Sequence, residues 1–338
     1  MIDVLVAGGG PAGLAAAIHA TLLGLEAVVV EPRSSPVDKA CGEGVMPGGV
    51  MALRALGVDV DGRELRGIRY VDGDSRAEAS FRERTGLGIR RTALHAALHQ
   101  RARDLGVRVV ADKVGTVRQG AQSVTAAGIT AHWLIAADGL HSPLRRGLGL
   151  DLPSGRAPGR YGLRRHFRTE PWTDFVEVHW SAHGEAYVTP VGDDVVGVAV
   201  LSSDRRGYDE HLAAFPALAS ALRGAAATTV RGAGPLRQRV RRRVAGRILL
   251  VGDAAGYVDA LTGEGIALAL ATAGAAVRCV AADRPQDYER AWTRLTRRHR
   301  LLTGTLLAVS RHPRATRLIV PAAARLPPLF SAAVHALQ

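Results

Sequence analysis

The sequence predicts an α/β protein in which a mostly parallel sheet is interrupted by an antiparallel sheet and followed by helices. Three observations carry that expectation. A short apolar strand turns through glycines into an Ala/Leu helix at the N-terminus. Two strands far downstream end in Asp-Gly and Gly-Asp, and the stretch between them alternates apolar and polar residues with period two.

The first is "DVLVAGGGPAGLAAAIHATLLGLEAVVVEP". Gly8, Gly10 and Gly13 fill G-x-G-x-x-G at a strand-to-helix junction, with Pro11 and Ala12 opening the helix. Gly8 allows the tight turn, Gly10 lets a pyrophosphate approach the backbone, and Gly13 lets helix and strand pack closely. Bare amides and the positive helix end then face the phosphates. Glu31 closes the second strand, ahead of Pro32 and Arg33, where a carboxylate accepts from ribose hydroxyls. An acid there disfavours a 2′-phosphate, so the site suits FAD or NAD rather than NADP.

The second is a pair of motifs. "AHWLIAADGLHSPLRRGLGL" ends a strand at Asp138-Gly139 and continues to Ser142 and Arg145. "GRILLVGDAAGYVDALTGEGIALALATA" ends another at Gly252-Asp253, and a helix opens at Gly263-Glu264-Gly265-Ile266. Each puts an Asp at the carboxyl end of a strand, where ligands of open α/β sheets bind. Asp253 is placed to fix a ribityl hydroxyl, and the helix after it offers amides to the flavin N1–C2=O edge. Either Asp alone is equally well read as a turn residue or cap; the three motifs in this order favour one ligand.

The third is "DFVEVHWS", "EAYVTPVG" and "DVVGVAVL", read as half-buried antiparallel strands broken by Pro190, Gly192 and Asp193-Asp194. A sheet built from them would cover a flavin face. Arg164, His166, His179, Trp180, Tyr187 and Pro190 are its pocket candidates, with core packing the alternative for each aromatic.

Composition narrows the class. The chain has 338 residues, 47% hydrophobic and 22% charged, which suits a globular protein with a sizeable core. Its net charge is +13, almost all from scattered arginines. The densest cluster, "RQRVRRRVAGR", has no interleaved aromatics to stack bases, so no nucleic-acid partner is expected. A basic surface drawn to an anionic cofactor or an acidic membrane face fits better. "MIDVLVAGGG" has no basic n-region or cleavage site, and "GIALALATAGAAV" is too short to span a bilayer. With Cys41 and Cys279 far apart, a reducing cytoplasm is the expected setting.

With these motifs the chain resembles the FAD-dependent oxidoreductases of the p-hydroxybenzoate hydroxylase fold. It is most similar to the branch holding geranylgeranyl reductases and small FAD monooxygenases. "GGGPAG" with Glu31, "KACGEGVMP", "GIRRTALHAAL", "ADGLHSPLR" and "GDAAGYVDALTGEGI" carry the resemblance. It implies a Rossmann-like FAD-binding domain of the glutathione-reductase type, an inserted antiparallel β-sheet substrate domain and a helical C-terminus. The expected segments are FAD domain at 1–75, 89–155 and 241–285, a strand of the substrate sheet at 76–88, the substrate sheet at 156–240, and C-terminal helices at 286–338.

The resemblance also implies that the "KACGEG" loop lies beside the flavin ring, with Ala40, Cys41 and Gly42 in contact, and that Arg91 and Val114 reach the cofactor. Arg91 is otherwise a solvated first-turn arginine. Cys41 lacks a second cysteine or further ligands nearby, so contact is favoured over a nucleophilic or metal role. Glu43 reads equally as a polar cavity group or a solvent-facing turn residue. His95 and His99, one helical turn apart, lack a third ligand and read as surface or packing histidines, with no metal expected. The final helices, rich in Arg and apolar residues, are expected to dock on the FAD domain in preference to a membrane.

NAD(P)H is the expected electron donor, and no second G-x-G-x-x-G exists for it. Two reactions remain open. In the favoured one, a monooxygenase hydroxylates or epoxidises a small organic substrate with dioxygen through a flavin C4a-hydroperoxide. In the other, reduced flavin saturates a prenyl double bond. Gly256 and "ALTG" stand where hydroxylases of this fold carry His and Pro, which favours the second. The expected partners are a small-molecule substrate and dioxygen, with at most weak peripheral membrane contact, in a monomer or homodimer.

Overall fold

The computed structural model describes residues 1–153, 159–222 and 226–336. The sheet that organises the chain comprises β1 (Ile2–Ala7), β2 (Ala27–Val30), β8 (Arg108–Val110), β9 (Val117–Gln119), β10 (Val124–Ala126), β11 (Ile129–Ala136), β19 (Val244–Ala245) and β20 (Ile248–Leu250), numbered in chain order. β8, β2, β1, β11 and β20 lie parallel in that order, while β10 and β19 add antiparallel pairings. β2 reads AVVV with every residue buried, the continuous apolar pattern of a central parallel strand. Helix α1 (Pro11–Leu22) packs against α3 (Arg91–Asp104) and α7 (Gly265–Ala281). All five parallel strands end at one edge, so the loops after β1, β2, β8, β11 and β20 meet there.

A second sheet contains β5 (Gly67–Asp72), β6 (Ser75–Ser80), β13 (Tyr161–Arg168), β14 (Phe175–Ser181), β15 (Gly184–Pro190), β16 (Val195–Ser202) and β17 (Arg231–Ala233). Its order is β17-β13-β16-β15-β14-β5-β6, antiparallel except for β14 beside β5. The mixed α/β class and the antiparallel insertion agree with the sequence reading. One boundary is corrected: β5, expected within the FAD-domain segment 1–75, belongs to this sheet because its hairpin with β6 pairs Gly67–Asp72 with Ser75–Ser80. The far end of the 76–88 segment, β7 (Gly86–Gly88), leaves the sheet and pairs with β3 (Gly44–Val45) and β4 (Arg63–Leu65). Short pieces complete the chain: α2 (Pro47–Ala55), α4 (Pro143–Gly147), α5 (Tyr208–Leu212), α6 (Pro216–Ala221) and the paired β12 (Asp151–Leu152) and β18 (Arg239–Val240).

The C-terminal helices are α8 (Asp287–Ser310), α9 (Pro313–Arg325) and α10 (Pro327–His335). α8 lies along α7 of the parallel-sheet unit. Contrary to expectation, α9 and α10 rest on β5, β6 and β14 of the antiparallel sheet. β6 is an edge strand whose inward residues, Ala77 and Ala79, need an apolar cover, which Val320, Phe330 and Val334 supply. Among the described residues, no single helix is long and apolar enough to cross a membrane.

Candidate functional site

The loop after β1 is built around hydrogen-atom side chains. Gly8 has φ of +105°, and a Cβ there would stand 2.5 Å from the Ala137 carbonyl oxygen. A Cβ on Gly13 would fall 1.8 Å from the Gly8 carbonyl oxygen. Gly10 differs: its Cβ would meet no protein atom within 4 Å. The first and third glycines therefore serve the fold, and the second faces open space ahead of Pro11 and Ala12 at the start of α1. Glu31 is buried beneath this turn, accepting from the Gly9 amide at 2.8 Å and from Arg33 Nε at 2.7 Å. Burial alone would raise its carboxyl, but the Arg33 and Gly9 hydrogen bonds win and hold it below the usual range. Pro32 is exposed beside it.

His95 anchors the turn from below. Its Nε2 lies 2.9 Å from the Gly9 carbonyl oxygen, and burial followed by the nearby Arg91 pushes it down to about 4. It is a neutral positioning group, stacked on His99 at 6.1 Å. Among the described residues no group of three or more His, Cys, Asp or Glu is placed to hold a metal.

Two buried polar atoms at the same edge lack a protein partner: Arg91 Nη1 and Asp138 Oδ1. Arg91 is 5% exposed, so the solvated first-turn alternative is ruled out. Asp138 uses its other oxygen to accept from the Leu144 amide at 3.0 Å, and burial raises its carboxyl. The next turn carries Gly139 at φ +84°. Burial also raises Asp253, countered by Lys39, Arg91 and Arg145. Arg145, whose role the motif alone did not reveal, is a staple. It donates to the carbonyls of Leu140 at 3.0 Å and Ala254 at 3.1 Å and to Gln238 Oε1 at 2.8 Å, and it pairs with Asp151. It thereby fixes the Asp138-Gly139 turn against the Gly252-Asp253 turn. Gly263, Gly265 and Ile266 follow at the opening of α7, and Val114 lies in the loop after β8 at the same sheet edge.

The "DKACGEG" loop runs between this cradle and the antiparallel sheet. Gly42 is open around its missing Cβ, as at Gly10. Cys41, half-buried beside Ala40, has its thiol pushed up by burial and stays protonated at neutral pH. That opposes a nucleophilic thiolate. Glu43 fits neither sequence alternative. It sits at φ +61°, 3% exposed, accepting from the Arg91 amide at 2.8 Å and lying 2.6 Å from His166 Nε2. Arg164 pairs with Asp38 and donates to the Lys39 carbonyl at 3.1 Å. Arg164 and His166, expected to line the pocket, instead pin the loop to β13. Their partners lie over 120 residues away in sequence, so no local signal could have shown this.

Register sorts the remaining candidates. Tyr187 pairs with Ala199 and Val178 across the sheet, putting Tyr187, Val178 and Trp180 on the face toward the loops. Tyr187 donates to the Leu261 carbonyl at 2.8 Å, and Thr189 donates to the Gly42 carbonyl at 2.7 Å. Trp180 meets Tyr70 edge-on at 5.4 Å, and both join Leu261, Leu307 and Phe330 in one apolar cluster. His179 is corrected. It lies on the opposite face, 3.1 Å from Glu177, because period-two alternation names two faces without saying which looks inward. Pro190 also falls on the outer register, its carbonyl pressed against Gly88.

A cavity of about 750 Å³ flanks the last motif. Gly252, Asp253, Tyr257 and Gly265 line it together with Arg237, Arg239, Arg297 and Arg300. This places positive charge beside the Gly-Asp turn.

Comparison with known proteins agrees with this geometry. A family described as FAD binding domain matches residues 1–284. Digeranylgeranylglycerophospholipid reductase 1 of Methanothermobacter thermautotrophicus is 31% identical, over 78% of this chain and 73% of its own. Menaquinone reductase of Mycolicibacterium smegmatis is 29% identical, over 99% of this chain and 91% of its own. Among solved structures, a flavin-dependent brominase superposes with a TM-score of 0.82 at 16% identity, covering 99% of this chain and 93% of its own, a likeness of fold alone.

Proposed function

The chain belongs to the FAD-binding-domain family, in its geranylgeranyl-reductase-like branch, and from that premise we propose that it saturates a carbon–carbon double bond in a prenyl-type chain. It is an FAD-dependent oxidoreductase. The observation that carries the finer reading is its likeness to curated reductases over most of both chains. The monooxygenase expected from the sequence has less support, as both of these relatives are reductases.

The residues fit the cofactor. Gly10 and Gly42 leave backbone bare where a phosphate and a ring would lie, and Arg91 Nη1 and Asp138 Oδ1 are buried groups in need of partners. Gly10 and the amides of Ala12 and Gly13 that open α1 would hold the pyrophosphate on the turn that Gly8 permits, Glu31 with Arg33 the ribose, and Asp253 the ribityl chain. Gly263, Gly265 and Ile266 would present amides to the ring. When bound and reduced, FAD would supply a hydride, two electrons with one hydrogen, to one carbon of the double bond, while the other carbon would take a proton from solvent.

The protein's share is placement and exclusion of water. Glu43, His166 and Arg164 hold the loop at one fixed height against the sheet. Cys41 offers a protonated Sγ at that surface. The donor in this reading is NAD(P)H, and the arginines around the 750 Å³ cavity suit its phosphates.

Anaerobic turnover tests the reading. Protein reduced by NADPH without oxygen should be reoxidised by a prenyl lipid that carries no quinone ring, giving a product two hydrogens heavier by mass spectrometry. Product that forms only with oxygen, labelled from oxygen-18 gas, would overturn it in favour of the monooxygenase.

A further inference from the structure

From Arg290 onward the sequence carries nine arginines and no aspartate or glutamate. Six of the eleven large apolar side chains that stand exposed among the described residues fall between Leu295 and Leu329. The two features coincide on α9 and α10, which meet at 99°. Their inner sides are committed, with Val320, Phe330 and Val334 buried on the antiparallel sheet. Their outer side is not. Leu318 is 63% exposed, and the elbow Leu326-Pro327-Pro328-Leu329 projects with its leucines 53% and 66% exposed. Arg314, Arg317 and Arg325 stand exposed around it. At 100° per residue, Arg314, Leu318 and Arg325 share one side of α9.

The geometry points to this elbow as a docking surface for an anionic lipid bilayer. Leu326 and Leu329 enter the boundary between headgroups and acyl chains, and the three arginines meet the phosphates. Pro327 and Pro328 fix the elbow in advance, so little conformational freedom is lost on contact. A second copy of the chain is a poorer occupant, because two such arginine rims would face each other with like charge. Nucleic acid would call for exposed stacking groups where leucines stand. The inference goes beyond the proposed reaction, and its test needs no substrate.

The test is cosedimentation of the flavin-loaded protein with vesicles of phosphatidylglycerol mixed with phosphatidylcholine. The protein should pellet with these and stay in solution with phosphatidylcholine alone, and added salt should release it. Leu326→Ser with Leu329→Ser, and separately Arg317→Glu with Arg325→Glu, should each weaken binding about tenfold or more. Their exposed positions leave flavin content and melting temperature unchanged. Leu329→Trp should shift its fluorescence to the blue only with anionic vesicles. Wild-type protein that stays in solution with anionic vesicles overturns the inference, as does a double-serine variant that binds like wild type. A dimer that ignores vesicles and is split by the double-serine change would assign the elbow to a second copy instead.

Discussion

Gly10 separates what the fold needs from what a ligand needs. A methyl group on Gly13 would collide with the Gly8 carbonyl and unmake the turn, whereas one on Gly10 meets no protein atom. Gly10→Ala is expected to lower the stability of the flavin-free protein by no more than about 1 kcal/mol, the usual cost of alanine at an N-cap, and to raise the FAD dissociation constant about tenfold or more. Thermal melts of the flavin-free protein check the first and fluorescence titration with FAD the second, and unchanged affinity would move the phosphates elsewhere. Cys41 makes a second residue-scale prediction. Since burial raises its thiol, alkylation by iodoacetamide in a Cys279→Ser background should be slow at pH 7 and still climbing above the ordinary thiol value of about 8.5. A rate that levels off near neutral pH would show a thiolate and revive a nucleophilic role. The open turn at Gly10 was legible in sequence because its setting is local. Glu43 was not, since His166 approaches it from 123 positions away.

Among the described residues, the joint between β14 and β5 is the one parallel pairing in the antiparallel sheet, and charge stitches it. Glu177 on β14 faces Arg69 on β5 in register, and Arg69 faces Glu78 on β6. Arg69 donates to Glu177 at 2.7 Å and to Glu78 at 2.8 Å. Burial would raise the Glu177 carboxyl, but hydrogen bonds from His179, Arg69 and Trp172 outweigh it and hold it at about 2. A carboxyl lowered on folding adds stability that is fully present above its unfolded value and is lost as pH falls toward the folded one. From the usual 4.5 down to about 2, that is roughly 3 kcal/mol. Urea unfolding at pH 6 and pH 3 should therefore show a smaller acid loss in Glu177→Gln than in wild type, by about 2 kcal/mol, since a carboxyl held at about 2 is still mostly ionised at pH 3. Equal losses would mean the pair adds nothing. The alternation in "DFVEVHWS" announced the strand, yet only pairing with β5 and β15 shows that Glu177 and His179 look outward.

For the molecule as a whole, the tail decides how the two sheets share a core. Sequence motifs located the nucleotide edge because each is a strand end carrying its own turn chemistry. They were silent on α9 and α10, whose apolar periodicity fits any apolar partner and whose seat depends on β6 being a bare edge. That seat rests on Phe330, whose ring lies 4.7 Å from Tyr70 and joins Trp180 in the same cluster. The parallel sheet and its glycine turns have a separate core around β1, β2 and β11. Phe330→Ala should therefore cost about 3–5 kcal/mol of local stability while leaving FAD content at wild-type level. Limited proteolysis should cut the variant faster near the α8–α9 junction at Arg311, and Trp180 fluorescence should move to the red as the cover lifts. Under the proposed reaction, turnover of a prenyl substrate should fall with it, as the Leu261 loop that Tyr187 holds loses its packing. If Phe330→Ala instead released FAD, the two cores would form one cooperative unit, and the tail would be holding the cofactor rather than the substrate.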